Sequence, residues 1–356
     1  IQEEPPDSKL QAEIKALKSE VDAIKKVTRK TMITRVTKPR VTHILPRGDW
    51  LDGSGPVVQS AIPEFMGSLA SEKRLTRLDL ANWLMDADKG AGKLTARVLA
   101  NRLWYLLFGQ GLAPDLTDFG GQGQPPEHPE LLDNLSISLI EKNWRIKALL
   151  KEIVLSRTYR QTSSSSGNKI SFQTSYRLPA ETIRDNALAI SGLLVREVGG
   201  ASIKPYQPAG YYRHLNFPTR KYVHHKDQRQ WRRGVYVHWQ RQFLHPMLKA
   251  FDAPRREECT AQRPSSNTPL AALVLLNDPT FVEAAQSLAE RILAEGGTAI
   301  DSRLDFAFRE AVSRKPDDFE RNILKKLLTS QKAKEEAAWT TVARGILNLA
   351  ETNLRR

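Results

Sequence analysis

"LTARVLANRLWYLLF", Leu94–Phe108, places Leu99, Leu103, Leu106 and Leu107 on one stripe at the three- and four-residue steps of an α-helix. "RLTRLDLANWLM" (Arg74–Met85), just upstream, is amphipathic in the same way. Downstream, a glycine-rich loop, "GQGLAPDLTDFGGQGQPPEHPE", leads to a helix beginning near Pro129, a favoured first-turn proline. Helices follow around Leu131–Glu141 and Ile146–Ser156, then "LPAETIRDNALAISGLL", with Ile183, Ala187 and Ile190 as its core-facing stripe. Residues 195–233 lack periodicity, and only Gly234–Gln240 ("GVYVHWQ") has the β-branched and aromatic content of a strand. The last third returns to helices. Thr268-Pro269 and Asp278-Pro279 each read as an N-cap before a first-turn proline, and further helices lie near 300–313, 317–330 and 336–350. The expected fold is mainly α: a multi-helix domain with long irregular loops and at most a small β element.

Upstream, "SKLQAEIKALKSEVDAIKKV" spaces Leu10, Ile14, Leu17, Val21 and Ile24 by alternating steps of four and three. That is a heptad seam of about two heptads, a short coiled-coil or hairpin arm rather than a rod. The expected organisation is a helical arm or linker at 1–33, a helical half at 34–160, a flexible break at 161–170 around "QTSSSSGNK", and a second helical half at 171–356. Arg47-Gly48-Asp49 sits in a proline- and glycine-bearing connector and reads as a turn between extended segments rather than an adhesive motif. "DKGAGKLT" is not a phosphate loop. Ala87 stands where the first glycine of GxxxxGK is needed, and Leu94 where Ser or Thr would hold magnesium.

Composition narrows the function. With Cys259 the single cysteine, the chain has no internal disulfide, no CxxC redox pair and no Cys-x-x-Cys-His haem attachment. No apolar run is long enough to span a bilayer. The start, "IQEEPPDSKL", lacks the basic-then-apolar order of a secretory leader and begins with Ile, so the chain reads as a fragment or processed product with any targeting sequence upstream. The net charge of +14 favours anionic partners, unless it is spread over solvated helix faces.

Two groups of residues carry candidate chemistry. Glu181, Arg184 and Asp185 share a helix face, where Glu181 and Asp185 could act as acid and base or hold a cation; the plainer reading is a polar network that pins the helix. The stretch His224–Pro246 holds four of the seven histidines. His238 and His245, as catalytic candidates, would share a face with Arg241 if the segment were helical by His238, but about 10 Å apart, too far for one metal. No metal site is therefore assigned. Arg232, Arg233 and Arg241 interleaved with Trp231 and Trp239 suit an anionic, sugar-like ligand, with packing around the long loop as the alternative. "TAQRPSSNTP" is a second polar focus at a helix start, with capping by Thr268 the simpler account. Cys259 lies beside Glu257 and Glu258, which disfavours a reactive thiolate.

Several blocks together resemble one family: "LTARVLANRLWYLLFGQGLAPDLTDFGGQGQPPEHPELLDNL", "LPAETIRDNALAISG", "KPYQPAGYYRHLNFPTRKY", "HWQRQFLHPMLKAFDAPRREECTAQRPSSNTPLAALVLLNDPTFVEAA" and "WTTVARGILNLAETN". They look like the C-terminal domain of unknown function of large planctomycete cytochrome-c-domain proteins, the planctomycete PSD-one domain family, over roughly residues 34–353. The resemblance implies export to the periplasm or cell surface and an upstream module carrying c-type haem, with no cofactor in this chain. It supplies no catalytic residue. The function expected is a ligand-binding or scaffolding module beside that haem module, acting on anionic polysaccharide. The alternatives are a hydrolase or oxidoreductase using Glu181, Asp185 and the histidines, and a nucleic-acid binder. The last rests on charge alone, and export would remove its partner.

Overall fold

The computed structural model describes residues 8–28, 32–161, 175–215, 219–241, 243–330 and 334–355. The expected break at 161–170 lies, apart from Gln161, outside them. The chain divides into two compact units, Ile1–Leu80 and Ala81–Arg356. The fold is mainly α. Among the described residues there are thirteen α-helices and only two two-stranded sheets.

The first unit starts with α1 (Ser8–Val27), none of whose residues is buried. An extended connector follows. Its strands β1 (Thr42–His43) and β2 (Val57–Val58) pair antiparallel, with Thr42 opposite Val58. Arg47-Gly48-Asp49 lies in the turn between them, Arg47 and Gly48 both left-handed at φ 52° and 76° and the Asp49 amide bonded to the Pro46 carbonyl. A second helix, α2 (Arg77–Met85), begins at the end of this unit, and its buried Trp83 belongs to the second.

The second unit contains two hydrophobic cores. The first joins α3 (Gly92–Phe108), α4 (Pro129–Glu141) and α5 (Ile146–Leu155). The buried face of α3 is rotated from the leucine stripe. Ala96, Ala100, Leu103, Trp104 and Phe108 are inside, Leu99 and Leu107 are partly buried, and Leu106 is exposed. Ala96 and Ala100 carry no bulk, so α4 can approach closely, and Trp104 and Phe108 stack at 4.1 Å to fill the far end.

The second core gathers α6 (Ala180–Ile190), α7 (Pro246–Ala250), α8 (Pro269–Asn277), α9 (Pro279–Glu295), α10 (Ile300–Val312), α11 (Asp318–Ser330) and α12 (Glu335–Leu347). The central helix is α9, whose Ala284, Ala285, Leu288, Ala289 and Ile292 are fully enclosed and face Trp339, Val342, Ala343 and Ile346 of α12. Both expected caps form: the Thr268 hydroxyl accepts from the Ala271 amide and the Asp278 carboxylate from the Thr280 amide. A short α13 (Ala350–Asn353) leads to β4 (Leu354–Arg355), which pairs antiparallel with β3 (Tyr176–Arg177) and returns the chain end to the start of α6. The strand expected at Gly234–Gln240 does not form. Gly234–Tyr236 is a short helical turn, and Val237 makes a single bridge to Ile203, because Asp185 of α6 takes the Gly234 amide that a ladder would need.

Candidate ligand cleft

A cleft of about 530 Å³ opens between the helices of the two cores. On one side α3 supplies Arg102, Tyr105 and Leu106, and its left-handed cap Gly109 (φ 76°) closes the end. A β-carbon at Gly109 would lie 2.4 Å from the Tyr176 ring, so this position needs glycine for space as well as for backbone angle. The Tyr176 hydroxyl donates to the Leu106 carbonyl at 3.1 Å, and burial pushes the phenol pKa up. Opposite lie Glu181 in the first turn of α6, then Asp252, Arg263 and Ser265 from the segment after α7.

Two arginine–carboxylate pairs organise the cleft. Arg177 contacts Asp252 at 2.5 Å, with side chains only 16% and 19% exposed. Asp252 also accepts from the Ser266 amide (2.8 Å) and hydroxyl (2.9 Å), and Arg177 donates to the Phe251 carbonyl. Burial opposes the Asp252 charge, but Ser266 and Arg177 outweigh it and hold the carboxyl below its usual range. The same contacts hold Asp252 in a left-handed conformation (φ 59°), which Asp tolerates better than most residues. In the second pair Arg263 donates to Glu181 at 2.7 Å. Arg102 donates to the Ala261 carbonyl and ties the far loop to α3.

One turn further along α6 the chemistry becomes structural. Arg184 is wholly buried and donates to the carbonyls of Arg232 (2.7 Å) and Gln230. Burial lowers its pKa to about 10, so it remains a cation at neutral pH. Asp185 accepts from the Gly234 amide at 2.5 Å and lies 3.7 Å from both Arg184 and Arg233. Burial raises its pKa, against the Gly234 amide and the two arginines. A β-carbon at Gly234 would come within 2.9 Å of the Glu181 backbone. Gly234→Ala is therefore expected to cost about 1–3 kcal/mol by overpacking, read as a lower urea midpoint with an unchanged slope; an unchanged midpoint would show that the loop yields freely.

The surface expected from Trp231, Arg232, Arg233, Trp239 and Arg241 is not assembled. Arg232 is buried, with its guanidinium donating to the carbonyls of Ala201, Glu197 and Gly199 and lying 4.3 Å over the Tyr236 ring. It cannot meet a ligand without releasing those carbonyls. Trp231 donates its indole N–H to Glu283 at 2.9 Å, and Arg256 covers the Trp239 ring at 3.8 Å. Only Arg233 and Arg241 of the five are exposed.

The catalytic candidates are likewise engaged separately. Glu181 pairs with Arg263 and Asp185 with the Gly234 amide, while His245 is buried with Nε2 on the Tyr206 carbonyl at 2.7 Å. His238 is half-buried, 3.5 Å from Ser202. The helix that would align His238 with His245 begins only at Pro246. Among the described residues no three His, Cys, Asp or Glu side chains are grouped to hold a metal ion.

Residues 76–328 match the family PSD1, described as a protein of unknown function (DUF1553). The chain belongs to this family. The matched span of this PSD1 chain contains every residue lining the cleft and leaves out α1. No curated protein and no solved structure matches the chain. Of the cleft's charged residues, only Glu181 stands out in the sequence as a candidate. Arg263 lies inside the polar segment "TAQRPSSNTP", whose sequence signal is its helix start. Arg102, Arg177 and Asp252 carry no local motif.

Proposed function

We propose that this chain is a ligand-binding module whose cleft takes an acidic saccharide. The observation that carries the reading is the lining itself: two planar arginine–carboxylate pairs, Arg177–Asp252 and Arg263–Glu181, set beside Tyr105 and Tyr176. Planar guanidinium and carboxylate groups match vicinal hydroxyls two at a time, and tyrosine rings cover the apolar face of a sugar ring. A cleft of this size, mixing apolar walls with a few fixed polar groups, falls within the range of small-ligand sites. Arg102, Arg177 and Arg263 face Glu181 and Asp252, which leaves one positive charge in excess and favours a uronic acid or sulfated unit over a neutral one.

The wider setting follows from the resemblance. The module belongs to an exported protein of the planctomycete type and works beside a c-type haem module on anionic polysaccharide. Since this chain has one cysteine, the haem would be carried elsewhere in the full protein or by a partner. A coding sequence lacking Cys-x-x-Cys-His throughout, with no haem protein encoded beside it, would remove this part of the reading.

Calorimetric titration with defined uronic and sulfated oligosaccharides tests the cleft. Binding should weaken as salt rises. Arg263→Ala and Arg102→Ala should each weaken it about tenfold, or about 1.4 kcal/mol, while Arg241→Ala leaves it unchanged. Absence of binding, or equal loss from Arg241→Ala, contradicts the assignment.

A further inference from the structure

We propose that α1 joins two copies of this chain as a parallel, in-register two-stranded coiled coil. The inference is independent of the cleft. The seam residues Leu10, Ile14, Leu17, Val21 and Ile24 lie between 43% and 56% exposed, and no residue of α1 is buried. A helix of 20 residues, about 30 Å long, with no covered face is marginal by itself in water. The spacing assigns heptad positions. Ile14 and Val21 fall at a, and Leu10, Leu17 and Ile24 at d. Branched residues at a with mainly Leu at d are the combination that favours two parallel strands.

Charge fixes both the occupant and its direction. In this register Glu13 and Glu20 occupy g positions, and Lys18 and Lys25 occupy e positions. In a parallel pair each g residue faces the e residue five positions later on the other helix. Glu13 then meets the second copy's Lys18, and Glu20 the second copy's Lys25, each contact occurring twice by symmetry. In an antiparallel pair g faces g and e faces e, which sets glutamate against glutamate and lysine against lysine. A second copy laid parallel thus covers the seam and neutralises its flanks, whereas the reversed arrangement is repelled. The remaining lysines, Lys9, Lys15 and Lys26, fall at the outward positions c, b and f, clear of the seam.

Sedimentation of the whole chain across a range of concentrations tests this. A monomer–dimer equilibrium is expected. Leu17→Asp should abolish it without changing the helical signal of the rest of the chain, since α1 supplies no core residue. The variants E13K/E20K and K18E/K25E should each self-associate at least about tenfold more weakly, a change of about 1.4 kcal/mol, and an equimolar mixture should form a heterodimer. Leu10→Cys in a Cys259→Ser background should cross-link to itself on oxidation. A chain that stays monomeric at all concentrations overturns the proposal. So does a dimer indifferent to Leu17→Asp, or charge variants that mixing does not restore. Failure of the Leu10→Cys cross-link with a dimer intact would overturn the parallel direction.

Discussion

Arg184→Ala should lower folding stability by about 3–5 kcal/mol, the largest loss expected from any single polar substitution in the chain. Its guanidinium has no exposed surface and serves as donor to two backbone carbonyls, those of Gln230 and Arg232, which hold the long irregular segment onto α6. Truncation leaves both carbonyls without that donor, opens a cavity on the buried side of α6, and strips the neighbouring carboxylates of a compensating charge. Asp185 lies 3.7 Å away, and the Asp278 carboxylate also feels the Arg184 charge. Burial already raises the pKa of each, so neither is comfortable as an anion. Substitutions at the same site separate these contributions. Arg184→Met refills the volume but leaves the carbonyls without a donor, and should fall short of the alanine loss. Arg184→Lys keeps the charge, but a single ammonium on a flexible stem does not reproduce the planar fork, so it should also be intermediate. Adding Asp185→Asn to Arg184→Met should recover part of the loss, because the stranded carboxylate is gone. Urea titrations give these differences directly. An Arg184→Ala midpoint within about 1 kcal/mol of the parent would mean that the segment 228–234 is held by other contacts.

The helical class and most of its elements could be read from the sequence because period and capping are local signals. Ile183, Ala187 and Ile190 are indeed the inner face of α6, and Thr268 and Asp278 indeed cap α8 and α9. On α3 the leucine stripe overlaps the buried face but is rotated from it: Leu103 is buried and Leu99 and Leu107 partly so, while Leu106 is exposed. A stripe of leucines records hydrophobicity, whereas burial there is decided by how closely α4 can approach, which Ala96 and Ala100 allow. Leu106, the most exposed of the four leucines, lines the cleft instead.

The cleft was nearly invisible for a different reason. Its pairs join residues far apart in the chain: Arg177 with Asp252, Glu181 with Arg263, Arg102 with the Ala261 carbonyl. No window of sequence contains them. At 224–246 the composition was right and the inference from it was not. A list of arginines and tryptophans does not distinguish a guanidinium turned to solvent from one, like that of Arg232, which satisfies the carbonyls of an aperiodic loop. Long loops need such internal donors because they lack a ladder of their own. Here the carbonyls of Glu197, Gly199 and Ala201 take theirs from Arg232, and those of Gln230 and Arg232 from Arg184.

The parent chain should lose stability steeply on acidification from pH 6.5 towards pH 4, and His245→Gln should lose much less. The His245 imidazole is 2% exposed, and burial lowers its pKa to about 4 against the opposing pull of the Tyr206 carbonyl, with the Arg184 charge adding a smaller push downward. Nε2 lies on that carbonyl, so the neutral ring carries its proton there. Nδ1 is buried with no hydrogen-bond partner among the described residues. A second proton would have to enter at Nδ1, next to the Tyr222 ring and within the field of Arg184. Because the native pKa lies below the ordinary value of 6.5, the unfolded chain binds the proton first. The stabilisation is therefore complete above about pH 6.5 and drains away as pH falls to about 4, a change of about 3 kcal/mol for this one group. Asp185 and Asp278 act in the opposite sense. Their raised native pKa values favour the folded state in acid, below their ordinary value of 3.8, and that contribution is lost as pH rises through the native values. Over their own range they offset part of the His245 effect. His225 and His238 are also depressed, by burial first, and add in the same direction as His245, so the comparison with the variant is what isolates this residue. Glutamine at 245 can donate to the Tyr206 carbonyl and never ionises, so it should stand somewhat below the parent at pH 7 and draw level with it as pH approaches 4. Urea midpoints measured at half-unit steps of pH give both curves. Parallel curves would mean that His245 protonates in place, and that the segment around Tyr206 opens readily enough to hydrate it.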